Sequence, residues 1–125
     1  MIVDTSALVA ILRDEPDAAA YARAIHAHPS RISATTLVET SLVLGAELHG
    51  DVDLLVSTAG IEVVPFGVPE AKLAREAYVR FGKGTGSPAR LNFGDCMAYA
   101  LAKATGEPLL FKGDDFTKTD VRRAL

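Results

Sequence analysis

The chain begins MIVDTSALVAIL (residues 1–12), a short apolar run that stops at a carboxylate, Asp4, and passes at once into a helix-forming stretch. So short a run, with β-branched residues, reads as a buried strand, and Thr5 or Ser6 can cap a helix running through Ala7 to Leu12. The question this corner raises is why an acid stands where strand becomes helix. The same alternation recurs along the chain. Asp14-Glu15-Pro16-Asp17 breaks the first helix, Ala18 to Ile25 is strongly helix-forming, and His28-Pro29-Ser30 ends it. Arg31-Ile32-Ser33 reads as a second strand. A helix apolar on nearly all sides is expected to start at Thr35 or Thr36, with Gly45 inside it and Gly50 at its end.

A further helix is expected from Asp51 to about Thr58, then a β-branched strand, Ile61 to Val64, closed by Pro65. Pro69 to Phe81 is predicted helical, and residues 82–92 (GKGTGSPARLN) form a loop by composition. Asn92 can cap a helix from Phe93 to Thr105 that Gly106 stops. Pro108 to Phe111 reads as a last strand, followed by the turn Lys112-Gly113-Asp114-Asp115-Phe116. Short apolar strands alternating with helices predict an α/β fold, with a mostly parallel central sheet covered on both faces.

The 125 residues suit a single domain over 1–125 with a core that needs no staple. A hydrophobic fraction of 49% and a mean hydropathy of +0.20 leave apolar surface for a partner or a second copy. One cysteine, Cys96, excludes an intrachain disulfide, and Asp4 interrupts the first apolar run before it can serve as a signal peptide, so a cytoplasmic protein is expected. No apolar stretch approaches the ~20 residues of a membrane span. The net charge of −3 argues against a nucleic-acid partner only if it is spread evenly. With Asp4, Glu39, Asp95, Asp114 and Asp115 set aside as one site, 13 basic residues face 11 acidic ones.

Those five residues fill four acidic positions that share one property, their place at element ends or in apolar company. In a parallel sheet Asp4 and the Asp114-Asp115 turn both follow strands, at the carboxyl ends where open α/β folds form their binding crevice. Glu39 and Asp95 lie in the expected first turns of two apolar helices. A carboxylate there costs several kcal/mol unless a helix N-terminus or a cation compensates it, by the general cost of burying charge of ~3–5 kcal/mol per unpaired ion. Taken singly, Asp4 can be a helix cap and Asp95 an ordinary first-turn acid. Together they describe a cluster of oxygens suited to Mg²⁺ or Mn²⁺ and not to zinc, since His26, His28 and His49 show no ligand spacing near it. Hydrolysis of a phosphodiester by an activated water is the matching chemistry.

With these residues in hand the chain resembles the PIN-domain proteins, and among them the VapC ribonuclease toxins of type II toxin-antitoxin pairs. The resemblance rests on IVDTSALVAIL, LVETSLVL, LNFGDCMAYALAKATGEPLLFKGDDF and its closing GDDF. It implies a three-layer α/β/α sandwich and an Mg²⁺- or Mn²⁺-dependent endoribonuclease with Asp4, Glu39 and Asp95 as site acids. Asp4 and Asp95 are implied as direct metal ligands, with Ser6 supporting the first acid. Asp114 and Asp115 both fit the fourth position, with Asp115 slightly preferred. A homodimer, an RNA substrate and a VapB-type antitoxin that blocks the groove are implied as well.

Other features are read more plainly. GKGTGS lacks the spacing of a phosphate-cradling loop, Cys96 reads as packing, and Tyr78, Phe81 and Phe93 read as core. Lys83, Arg90, Lys112 and Arg13 are candidates for contact with RNA phosphate or antitoxin. A haloacid-dehalogenase-like phosphatase also begins with a strand ending in Asp, but it needs a second Asp two residues on, where Ser6 stands. A non-catalytic PIN-like binding module remains the alternative from another class, against which all four acidic positions are filled.

Overall fold

The computed structural model describes residues 1–125. Four strands, β1 (Ile2–Val3), β2 (Arg31–Ser33), β3 (Glu62–Val64) and β4 (Leu109–Leu110), form one sheet in the order β3-β2-β1-β4. Every pairing is parallel, which sharpens the expected mostly parallel sheet. Six α-helices connect and cover the strands: α1 (Thr5–Leu12), α2 (Ala18–Ala27), α3 (Ala34–Leu44), α4 (His49–Thr58), α5 (Val68–Phe81) and α6 (Phe93–Thr105). The chain winds outward from β1 to β3 and then crosses to the other side of β1 to lay down β4. The reversal falls between β1 and β4, so their carboxyl ends frame the crevice.

The strands are too short to hold a sheet by length, and burial on both faces makes up for it. Ile2 and Leu109 point into one core with Leu91, Leu101, Phe111 and the small face of α5 and α6. Val3, Ile32 and Leu110 point into a second core with Leu8, Val52 and Ile61. Two cores on opposite faces of one sheet make the three-layer α/β/α sandwich. Asp4 is locked into register by its own N–H, which donates to Leu110 O at 3.0 Å, while Ile2 N–H donates to Pro108 O at 2.9 Å. No helix is long and apolar enough to cross a membrane.

Several local expectations are corrected. Asp4 itself caps α1, its side chain accepting from Ser6 N–H, so Thr5 and Ser6 lie inside the first turn. Ser33, ahead of the expected threonines, caps α3. Gly45, expected inside that helix, ends it at φ 92°, a conformation that favours glycine; a turn of 3₁₀ helix over Ala46–Leu48 then leads into α4. Glu39 is therefore mid-helix and not in a first turn. Phe93 (78% exposed) and Tyr78 (45%) stand at the surface instead of in the core: the buried face of α6 begins at Cys96, and α5 buries Ala74 and Ala77. The loop over 82–91 is tied down: Ala89 and Leu91 are buried, and Lys83 N–H donates to Leu91 O at 2.8 Å.

If β2 joins the strands to the second core as described, Ile32→Ala, at a fully buried site, lowers stability by ~2–5 kcal/mol. Urea unfolding should show the midpoint falling at unchanged slope. A loss below ~1 kcal/mol would mean that this face is not close-packed.

Candidate metal-dependent active site

Asp4 is almost fully buried at the end of β1. Its Oδ2 accepts from Ser6 N–H at 3.0 Å and from Ser6 Oγ–H at 2.6 Å. Its Oδ1 is buried with no partner at all. Buried polar atoms are seldom left bare, because the lost hydration is not replaced. Burial pushes the Asp4 carboxyl up to about 6, against the lowering effect of Ser6, and the nearby Glu39 charge adds to the rise.

Asp95 enters from the other side of the crevice. It occupies the third position of α6 and forms a reciprocal cap with Asn92: Asp95 N–H donates to Asn92 Oδ1, and Asn92 N–H donates to Asp95 Oδ2, both at 2.9 Å. That cap fixes the side chain at the helix N-terminus. Burial nevertheless raises its carboxyl to about 7, opposed by the Asn92 hydrogen bond and reinforced by the charges of Asp4, Asp115 and Glu39. Three other carboxylates thus bear on Asp95, and Glu39 bears on Asp4 as well. Asp115 opens the 3₁₀ turn after β4 and its charge bears on Asp95; Asp114, the residue before it, is exposed as well.

Glu39 reaches the site from the middle of α3. Its Oε1 accepts a hydrogen bond from Thr5 Oγ1, which also lies 3.0 Å from Thr40 Oγ1. Its Oε2 lies against Gly94, in the space that an added Cβ would take. Any side chain at Gly94 therefore evicts Glu39. Thr5 and Gly94 are site residues that the sequence reading passed over. Their signals were present: threonines at 36 and 40 on one face of an apolar helix, and a glycine in the first turn of another.

The donor set fits a hard divalent cation. It is all carboxylate oxygen, it includes one bare buried oxygen, and its mutual repulsion is what a cation relieves. No three His, Cys, Asp or Glu side chains close on a single point at ligating distance. Mg²⁺ characteristically keeps several waters and takes one or two carboxylates plus substrate phosphate, so an open set of this kind suits it.

The PIN domain family profile matches residues 1–122. The chain belongs to the PIN-domain family. This PIN domain is 52% identical over 130 residues to VapC ribonuclease Mb0625 of Mycobacterium bovis and to ribonuclease VapC28 of Mycobacterium tuberculosis, covering 100% of the chain and 98% of each relative. It is 47% identical over 129 residues to ribonuclease VapC42 of Mycobacterium tuberculosis, covering 99% of the chain and 98% of that relative.

Elsewhere in the PIN domain, Cys96 is buried beside Asp95, and burial, helped by that neighbouring charge, pushes its thiol up to about 11. It carries no nucleophile at neutral pH. Lys112 is not a free cation at the crevice, since Glu15 and Asp17 hold its ammonium. Arg13 donates to Val43 O at 3.3 Å, bridging α1 to the end of α3. Lys83 and Arg90 are exposed.

The raised carboxyls of Asp4 and Asp95 have a consequence for stability. Between the ordinary carboxylate value of 3.8 and about 7 the folded chain keeps protons that the unfolded chain has lost. Stability from this source is full below that ordinary value and is lost as pH rises through 6 and 7. In chelator, the Tm is expected to fall from about pH 5 to about pH 8, and Asp4→Asn to flatten the decline and raise the Tm at the upper end. A Tm insensitive to Asp4→Asn across that interval would show that the acid is not held against its charge.

Proposed function

We propose that this PIN domain is a metal-dependent endoribonuclease, the toxin of a VapBC-type toxin-antitoxin pair. The observation that carries the reading is the bare, buried Oδ1 of Asp4, a residue whose charge, with those of Glu39 and Asp115, bears on Asp95 at the crevice between β1 and β4. The relatives' names, ribonucleases of the VapC kind, supply the substrate class, RNA, and the resemblance to VapC toxins implies a VapB-type antitoxin as partner.

Asp4 and Asp95 are the residues that would hold Mg²⁺ or Mn²⁺. A bound ion of this kind polarises a phosphodiester oxygen and lowers the pKa of a water at the site. Ser6 keeps Asp4 Oδ2 occupied, which turns Oδ1 toward the ligand. Thr5 and Gly94 hold Glu39 so that its carboxylate borders the pair. Glu39 or Asp115 would take the proton that the attacking water gives up as its oxygen bonds to phosphorus, and the ester oxygen released as the P–O bond breaks would take a proton from solvent. Asp115 is the better candidate than Asp114 for the fourth acid, because its charge is among the leading ones that raise the Asp95 carboxyl.

Two helices carry apolar residues that the fold leaves uncovered: Val38 and Leu42 on α3, and Val68 and Val79 on α5, each more than half exposed. Phe93 is exposed two residues before Asp95. These support a homodimer with its sites along a shared groove, and a groove that an antitoxin segment blocks.

Purified protein is expected to cleave RNA with Mg²⁺ or Mn²⁺ and to stop in excess EDTA. Asp4→Asn and Asp95→Asn should each reduce the rate by ~100-fold or more with the circular dichroism spectrum unchanged, and Asp115→Asn should cost far more than Asp114→Asn. Undiminished cutting in EDTA would end the metal mechanism. Sedimentation should give twice the chain mass, and Leu42→Glu combined with Val79→Glu should give the monomer. A wild-type monomer at high concentration would remove the dimer from the reading.

A further inference from the structure

Lys112 is joined to the site through its backbone and away from it through its side chain. Its N–H donates to Ser6 Oγ at 2.9 Å, and Ser6 Oγ–H donates to Asp4 Oδ2 at 2.6 Å. Its ammonium donates to Asp17 Oδ1 at 2.8 Å and to Glu15 Oε2, both in the turn between α1 and α2. That turn is itself fixed, with Glu15 N–H donating to Ala10 O at 2.9 Å and Ala18 N–H to Glu15 O at 2.9 Å. Three residues beyond Lys112 stands Asp115.

We propose that Lys112 is a positioning residue whose ion pairs with Glu15 and Asp17 fix both Asp4, through Ser6, and the closing turn that carries Asp115. This rests on the reading of Asp4 and Asp115 as site acids. A lysine beside an acidic crevice invites the opposite assignment, a direct contact to RNA phosphate. The geometry argues against that: two carboxylates already neutralise the ammonium and hold it charged well above the ordinary lysine value, through the Asp17 hydrogen bond first and the Glu15 one second. The lysine's use to the site is the placement of its own backbone. Groups that orient metal-binding side chains in this way typically change metal affinity or rate by ~10–100-fold when removed.

The two roles give opposite results in one comparison. Lys112→Met and the double variant Glu15→Gln/Asp17→Asn both break the clamp, but the second leaves a free lysine. On the positioning role both lower kcat and weaken binding of Mn²⁺ alone, followed by electron paramagnetic resonance, by ~10-fold, with KM for RNA unchanged. Lys112→Arg, which can still bridge both acids, restores most of each loss. Thermal unfolding identifies any variant that has simply lost its fold.

If instead the double variant cleaves as well as the wild type or better, while Lys112→Met raises KM and lowers the salt slope by about 1, Lys112 reads phosphate and the proposal is overturned. Wild-type cleavage with Mn²⁺ affinity unchanged in all three variants overturns it too. A wild type that binds Mn²⁺ but cleaves no RNA, with affinity falling as described, supports the clamp and removes the ribonuclease reading. A wild type that binds no Mn²⁺ overturns both.

Discussion

Carboxylates are crowded at the carboxyl edge of a parallel sheet, from the buried Asp4 to the exposed Asp115, with no basic side chain paired to any of them. Asp4 is inside the protein and Asp95 partly so; the Asp4 charge makes that of Asp95 harder to hold, and Glu39 does the same to both. Nothing in the fold requires this for stability. The arrangement costs stability at neutral pH, which a bound cation would recover. The rest of the structure is intelligible as the means of keeping these acids together against their repulsion.

Each acid is held by a different device. Asp4 is tied into the sheet through Leu110 O and oriented by Ser6. Asp95 is pinned by a reciprocal cap with Asn92, Glu39 by Thr5 and the space that Gly94 leaves, and the turn bearing Asp115 by the anchorage of Lys112. The switch of chain direction between β1 and β4 brings the first and last acids, more than 100 residues apart in sequence, to the same edge. Because the donors lie on separate elements, the site forms only when the whole sandwich does.

The alternation of short β-branched runs with helices was readable because each strand is bounded by strong punctuation. Asn92 and Gly106 delimit α6 to the residue, as local capping chemistry allows. The position of Asp4 pointed to the crevice, since a parallel sheet gives strand ends a known place. What escaped depended on contacts between distant segments. Gly45 looked like an interior residue because composition does not reveal that the chain must turn toward α4 there. Phe93 and Tyr78 looked like core because aromatic content says nothing of which side of a helix faces out. Thr5 with Glu39, and Lys112 with Glu15 and Asp17, are side-chain meetings across 34, 97 and 95 residues of sequence, beyond what local pattern can resolve. The choice between Asp114 and Asp115 likewise turns on the assembled site and not on local pattern.

The most direct measurement is anomalous diffraction from crystals soaked in Mn²⁺. The account requires a peak in the crevice between β1 and β4, within coordination distance of Asp4 Oδ1 and of an Asp95 oxygen, ~2.1–2.3 Å for a hard divalent ion, with Ser6 still bonded to Asp4 Oδ2. A crevice without a peak at saturating Mn²⁺, or a peak that leaves Asp4 Oδ1 without a partner, would contradict it.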